Sequence, residues 1–211
     1  NNTAIIGTAL ANQRKGKHII TSRIEHASVY EPMAFLEDLG FEITYLNVDS
    51  KGQILLEELE TAIRPDTILV SLMFVNNEIG AVQPIKEAGE IIKKKNKDTV
   101  FHVDAIQAYG KLPIVPKNLK IDLLSMSGHK IHGPKGVGFL YVREGTKIQP
   151  LIYGGGQQKG MRSGTENVPG IAGLGCACRQ MIGDHFENAE KIRTVKEYFQ
   201  ERIKEIEDIR D

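Results

Sequence analysis

Tryptophan is absent from this sequence, aromatic residues make up only 6%, and cysteine occurs twice. Two cysteines cannot staple a chain of 211 residues. Cys176 and Cys178, two positions apart, are badly spaced for a disulfide and offer a metal at most two ligands. A disulfide scaffold and a cysteine-rich zinc module are thereby excluded. Such sparing use of cysteine fits a reducing compartment, and a cytoplasmic protein is expected. An excess of charge of either sign is missing as well. Lys+Arg and Asp+Glu each number 27, so bulk electrostatics favour neither nucleic acid nor an anionic membrane as partner. No apolar run approaches the roughly 20 residues of a membrane span, and no signal peptide, repeat or low-complexity linker is visible.

What is present is a regular alternation of apolar patterns. Short β-branched or apolar runs, "KHIITSRI" (17–24), "FEITYLNV" (41–48), "TILVSLMF" (67–74), "TVFHV" (99–103), "IDLLSMS" (121–127) and "GVGFLYV" (136–142), read as strands. Between them lie helical patterns: Ser28 to Leu39 stopped by Gly40, Leu55 to Ile63 ended by Pro65, and a helix opened by Pro84 at its first position, with Ile85, Ala88, Ile91 and Ile92 on one face. The run "KKKNK" after it reads as a solvated, fraying end. A long helix is expected from about Phe186, with Ile192, Val195, Phe199, Ile203 and Ile206 at helical spacing. The opening residues, with Ala4, Ile5, Ala9 and Leu10 apolar, read as a helix already under way, so the chain is expected to start and stop inside a longer protein. Alternating strands and helices predict an α/β sandwich around a mostly parallel sheet.

In such sheets ligands bind beyond the carboxyl ends of the strands, so the residues just after each strand are the informative ones. His26 is one, and a histidine there serves either chemistry or a structural hydrogen bond. Asn76 and Asn77 are others, and asparagines before Gly80 also suit a turn. Asp104, followed by "AIQAYG", could cap a helix, with Gln107 completing a capping box. Lys130, in "SMSGHKIHGPKG", is harder to explain as a surface residue. It follows an apolar run, sits among small residues, and has His129 and His132 on either side. A partly buried lysine can act as an amine nucleophile. Ser127, Gly128 and His129 supply a hydroxyl, a permissive backbone and an imidazole, the makings of a phosphate grip. A P-loop reading fails, because Gly133 is followed by Pro134–Lys135–Gly136 and not by Lys–Ser or Lys–Thr. A metal site from His26, His102, Asp104, His129 and His132 lacks the helical pair spacing of a zinc hydrolase. An amine, a carboxylate and a phosphate grip on neighbouring strand ends together suit pyridoxal phosphate, whose aldehyde bonds a lysine and whose ring nitrogen takes an acidic partner.

The segments "EHASV", "NNEIGAVQPI", "HVDAIQAYGK", "DLLSMSGHKIHGPKGVGFLYV" and "GGGQQKGMRSGTENV" resemble those of the NifS/IscS-type cysteine desulfurases, fold-type I pyridoxal-phosphate enzymes of the class V aminotransferase superfamily. The resemblance runs from Asn1 to about Asn188. It implies a three-layer αβα sandwich with a mostly parallel mixed sheet. Residues 1–185 would be the large cofactor domain, and 186–211 a helix leading to a smaller C-terminal domain. By position, Lys130 resembles the Schiff-base lysine, Asp104 the partner of the ring nitrogen and Gln107 the hydrogen bond to the phenolic oxygen. His26 matches the imidazole stacked on the ring, a candidate proton carrier, and Asn77 a polar contact near the phenolic oxygen and substrate carboxylate. Ser127 and His129 match phosphate ligands. Thr165, in "RSGT", matches a threonine that reaches the phosphate of a neighbouring subunit, which implies a homodimer. His132 stands where the family frequently has tyrosine.

The implied reaction takes sulfur from L-cysteine, leaving alanine and an enzyme persulfide that supplies a sulfur-acceptor protein in iron–sulfur cluster assembly or a related pathway. The family's nucleophilic cysteine lies on a mobile loop well downstream of the lysine and has no match here. The arginine that holds the substrate carboxylate is likewise unmatched. Cys176 and Cys178 are not at that position and are expected to be small buried helix residues. The 211 residues alone are therefore expected not to complete desulfuration. Two rivals are another fold-type I enzyme, such as a class V aminotransferase or a selenocysteine lyase, and an inactive dimerising scaffold.

Overall fold

A computed structural model describes residues 1–183 and 185–206 of the chain. Six strands form one sheet: β1 (His18–Ser22), β2 (Glu42–Leu46), β3 (Thr67–Met73), β4 (Val100–Asp104), β5 (Leu123–Ser127) and β6 (Gly138–Val142), in the order β2-β1-β3-β4-β5-β6. The first five run parallel and β6 pairs antiparallel with β5. Every residue of the apolar run β3 is buried, as its central place requires.

Helices cover both faces. On one, α1 (Asn2–Asn12) and α2 (Ala27–Asp38) bring Ala4, Ile5, Val29, Met33 and Leu36 against Ile19, Leu69, Val100 and Leu123. On the other, α3 (Leu56–Ala62), α4 (Ile85–Lys95) and α5 (Val168–Gly183) bring Leu59, Ile85, Ile92, Leu174 and Ala177 against Ile20, Val70, Phe101, Val103 and Leu124. This is the three-layer arrangement expected, with two apolar layers separated by the pleat of the sheet. Each fully buried Ile or Leu contributes about 1.5–3 kcal/mol to holding the layers together.

Several local expectations need correction. Pro84 precedes α4 at its N-cap, and helical residues begin at Ile85. The "KKKNK" run is not wholly solvated. Lys93 Nζ reaches inward to Asp122 Oδ2 at 2.5 Å and to the Thr99 carbonyl at 2.6 Å. The Asn96 side chain donates to the carbonyls of Arg64 and Pro65, which ends α4 firmly. The stretch after Asp104 is a series of turns and not a helix. The long helix α6 (His185–Ile203) is present, but Ile192, Val195 and Phe199 are 60–68% exposed, so their spacing marks an apolar stripe without a buried partner among the described residues. Residues 207–211 of the expected C-terminal segment lie outside the described residues.

Candidate active site

The strand order changes direction between β1 and β3, and the residues leaving the carboxyl ends of β1, β3, β4 and β5 converge above that edge. They enclose a cavity of about 310 Å³ lined by His26, Ser28, Met73, Val75, Asn77, Asp104, Ile106, Gln107, Ser127, His129 and Lys130. Seven of the eight candidate residues therefore share one site.

Each is placed by local structure. His26 is the N-cap of α2, and its Nδ1 accepts from the Ser28 backbone N–H at 3.0 Å. That bond leaves Nε2 as the nitrogen that carries the proton in the neutral ring. His26 therefore does serve the structural hydrogen bond at the start of α2, and it also lines the cavity. Asp104 ends β4. Its Oδ1 accepts from Ile106 N–H at 3.0 Å and its Oδ2 from the Asn1 side-chain amide at 2.7 Å. No helix follows, and Gln107 accepts from Lys111 Nζ at 3.2 Å, so the capping box is not formed. Ser127 Oγ lies 2.7 Å from His129 Nδ1, which joins the hydroxyl and the imidazole into one polar unit. Asn77 donates to Glu78 at 2.7 Å. Its neighbour Asn76 is buried and takes the turn-forming role: Nδ2 donates to the Ile24 carbonyl, and Oδ1 accepts from the N–H groups of Glu78 and Ile79.

Lys130 lies in a 3-10 turn, Gly128–Ile131, directly after β5. Gly128 and Ile131 of that turn are buried, whereas Lys130 itself is exposed at the cavity, which corrects the expectation of partial burial. Gly128 does permit close approach, but of protein. A Cβ there would lie 3.0 Å from the Val137 carbonyl oxygen and 3.1 Å from Leu174 Cδ1. The turn is thereby seated against α5. His132 closes it in the left-handed region, φ 62°.

Thr165 is not at this cavity. It is exposed and lines a separate groove with Gly138, Phe139 and Arg162. The cysteines also differ from expectation: Cys176 is exposed and Cys178 half-buried. Helix α5 buries Leu174 and Ala177, and Cys176, two positions from Leu174, faces the other way. Among the described residues no group of three His, Cys, Asp or Glu side chains could hold a metal ion. His102, one of the metal candidates, is fully buried between Ser71 Oγ and Ser125 Oγ, each at 2.8 Å. Burial holds its pKa well below the ordinary value.

Sequence reading missed Glu25. Its Oε1 accepts from Ser22 Oγ at 2.6 Å and Met73 N–H at 3.0 Å, tying the ends of β1 and β3 together beneath His26, while Oε2 is buried without a partner among the described residues. Burial, with the negative charge of Asp104 adding to it, pushes the Glu25 carboxyl up to about 8. Lys111 was also missed, although its i+4 spacing from Gln107 was visible in "QAYGK".

An open α/β sheet with an amine, a carboxylate and a hydroxyl–imidazole pair gathered at its carboxyl edge defines a class of ligand-binding enzyme site. The family model "Aminotransferase class-V" matches residues 1–211, and the chain belongs to that family. It is 60% identical over 176 residues to "Cysteine desulfurase IscS" of Methanosarcina thermophila, covering 83% of this chain and 43% of the relative. To the protein of the same name from Dictyoglomus turgidum it is 51% identical over 207 residues, covering 98% and 51%. Among solved structures, a "NIFS-LIKE PROTEIN" superposes with a TM-score of 0.94 at 44% identity, over 97% of this chain and 56% of that one. A structure titled "SspA in complex with cysteine" gives a TM-score of 0.80 at 46% identity, over 84% and 51%. The chain spans about half the length of the curated relatives it matches. No described helix is long and apolar enough to cross a membrane.

Proposed function

We propose that this chain is the cofactor-holding part of a pyridoxal-phosphate-dependent cysteine desulfurase. The observation that carries the reading is the convergence of Lys130, Asp104, Gln107, His26, Asn77, Ser127 and His129 on one cavity. The donor set fits the cofactor: an exposed primary amine for its aldehyde, a carboxylate for its ring nitrogen, a half-buried amide for its phenolic oxygen and a hydroxyl–imidazole pair for its phosphate. When bound, the cofactor supplies an electron sink for carbanion chemistry.

The chain's own residues do the rest. Asp104 is oriented by two donors, from Ile106 and Asn1, so its carboxylate keeps one direction. His26 is oriented by the Ser28 N–H and offers its other nitrogen for proton transfer. Lys130 Nζ forms no hydrogen bond or ion pair among the described residues, which leaves the amine available as nucleophile and proton carrier.

Cysteine as substrate is supported by the names of the relatives and by the cysteine-bound neighbour. Thr165, remote from this cavity and exposed, suits a role at a second subunit's phosphate in a homodimer. Residues 186–211 suit a connection to a smaller domain carrying the nucleophilic cysteine. A cytoplasmic location and a sulfur-acceptor partner accompany this reading. The test is release of alanine and enzyme-bound sulfur from L-cysteine by the full-length protein. Activity that disappears in Lys130→Ala supports the reading; transamination without sulfur release would favour a class V aminotransferase.

A further inference from the structure

We propose that Lys111 is a positioning residue that fixes which end of the Gln107 amide faces the cofactor cavity, an inference that rests on the cofactor reading above. Lys111 Nζ donates to Gln107 Oε1 at 3.2 Å. An ammonium has donors only, so the amide must turn its oxygen toward Lys111 and its NH2 group away. Gln107 is half-buried and lines the cavity. Unrestrained, a glutamine offers a ligand either a carbonyl or an amide; here the carbonyl is occupied and the donor is what remains. That selects for an acceptor on the ligand and favours an anionic oxygen over a protonated one.

The backbone is shaped to make this contact. After Asp104 the chain turns tightly, with Ala108 and Tyr109 N–H both bonding to the Ala105 carbonyl and Lys111 N–H to that of Ala108. Gly110 then takes φ +77°, which brings Lys111 back beside the residue four positions earlier. A Cβ on Gly110 would meet Met181 Cε of α5 at 2.6 Å, so the turn is packed against that helix.

The charges around the cavity make Lys111 more than a prop. The titratable groups lining it are His26, Asp104, His129 and Lys130, and Lys111 adds a second cation behind Gln107. Tyr109, beside it, is directed to Cys178 Sγ at 3.8 Å. Lys111 forms no ion pair among the described residues, and burial followed by repulsion from Lys130 lowers its pKa.

The test uses the full-length protein, loaded with pyridoxal phosphate, and reads two quantities: the pH midpoint of the cofactor's visible band and the Kd for the cofactor. Lys111→Met is expected to raise the midpoint by about 0.5–1 unit, by removing a cation and freeing the amide, and to weaken binding about fivefold. Lys111→Arg, which keeps donor and charge, should hold both near the wild-type values. In a Gln107→Leu background, Lys111→Met should change Kd by less than half as much, because its route through the amide is gone. A midpoint and Kd unchanged in Lys111→Met would overturn the proposal, as would an effect on Kd that persists in full without Gln107. A wild-type protein with no band dependent on Lys130 would instead overturn the cofactor reading itself, and this inference with it.

Discussion

At the amino edge of the sheet, Lys93 Nζ lies 2.5 Å from Asp122 Oδ2, Arg143 closes on Asp122 Oδ1 at 2.6 Å, and the Phe101 N–H donates to the same carboxylate. At the carboxyl edge, Lys130 stands at a cavity with no ion pair among the described residues, and Asp104 is held by neutral amides. Histidines divide in the same way. His18, near the amino edge, is fixed between Thr67 and Thr44 at 2.7 and 2.9 Å, whereas His26 is fixed through one nitrogen only. The two edges use the same residue types. One edge pairs its groups with one another inside the fold; the other turns them toward a cavity, where the proposed cofactor would meet them.

The sharpest test of that contrast exchanges one residue of each kind. Lys130→Ala should lower cysteine turnover by at least about a thousandfold, since the nucleophile is gone, while the melting temperature changes little because the side chain is exposed. Asp122→Ala should do the opposite. It leaves Lys93 partly buried without its partner and should cost about 3 kcal/mol in chemical denaturation, with turnover per folded molecule unchanged.

Glu25 complicates the division, because it is a carboxyl buried beneath the site and incompletely satisfied. Its folded pKa, about 8, lies above the unfolded value, so it is protonated in the folded state over a range where the unfolded chain has lost the proton. Its contribution to stability is therefore full below pH 4.5 and declines as pH rises toward 8. Between pH 6 and 8 the decline is about 2 kcal/mol, and Glu25→Gln should abolish it, seen as a flatter stability–pH profile. His102 works in the other sense: held neutral by burial, it stabilises the fold above its unfolded pKa and ceases to do so as acid protonates the unfolded chain. The smallest effect expected is that of His26→Ala on stability, about 1 kcal/mol from loss of the α2 cap, together with slower turnover.

Much of this was legible in the residues themselves. Parallel strands announce themselves as short apolar runs, and the rule that ligands sit past their carboxyl ends points to His26, Asn77, Asp104 and Lys130 from the sequence. The pattern could not say which way Cys176 faces, because two small residues on α5 carry no strong apolar signal of their own. Nor could it show that Lys93 leaves its basic run to meet Asp122, since that pair depends on α4 ending above the start of β5. The residues "AIQAYG" include good helix formers and would suit a helix capped by Asp104, whereas the chain turns there and Gly110 takes φ +77°. Glu25 escaped notice for a related reason: nothing in "TSRIEHAS" distinguishes a buried glutamate from a solvated one.

Everything proposed for this site depends on Lys130 being the amine that bonds the cofactor. Borohydride reduction of the protein loaded with pyridoxal phosphate, followed by peptide mapping, tests it most directly. A single pyridoxyl label on the peptide carrying Lys130 is the expected result. A label on Lys111 or Lys135 instead, or no label in a full-length protein that turns over cysteine, would contradict it.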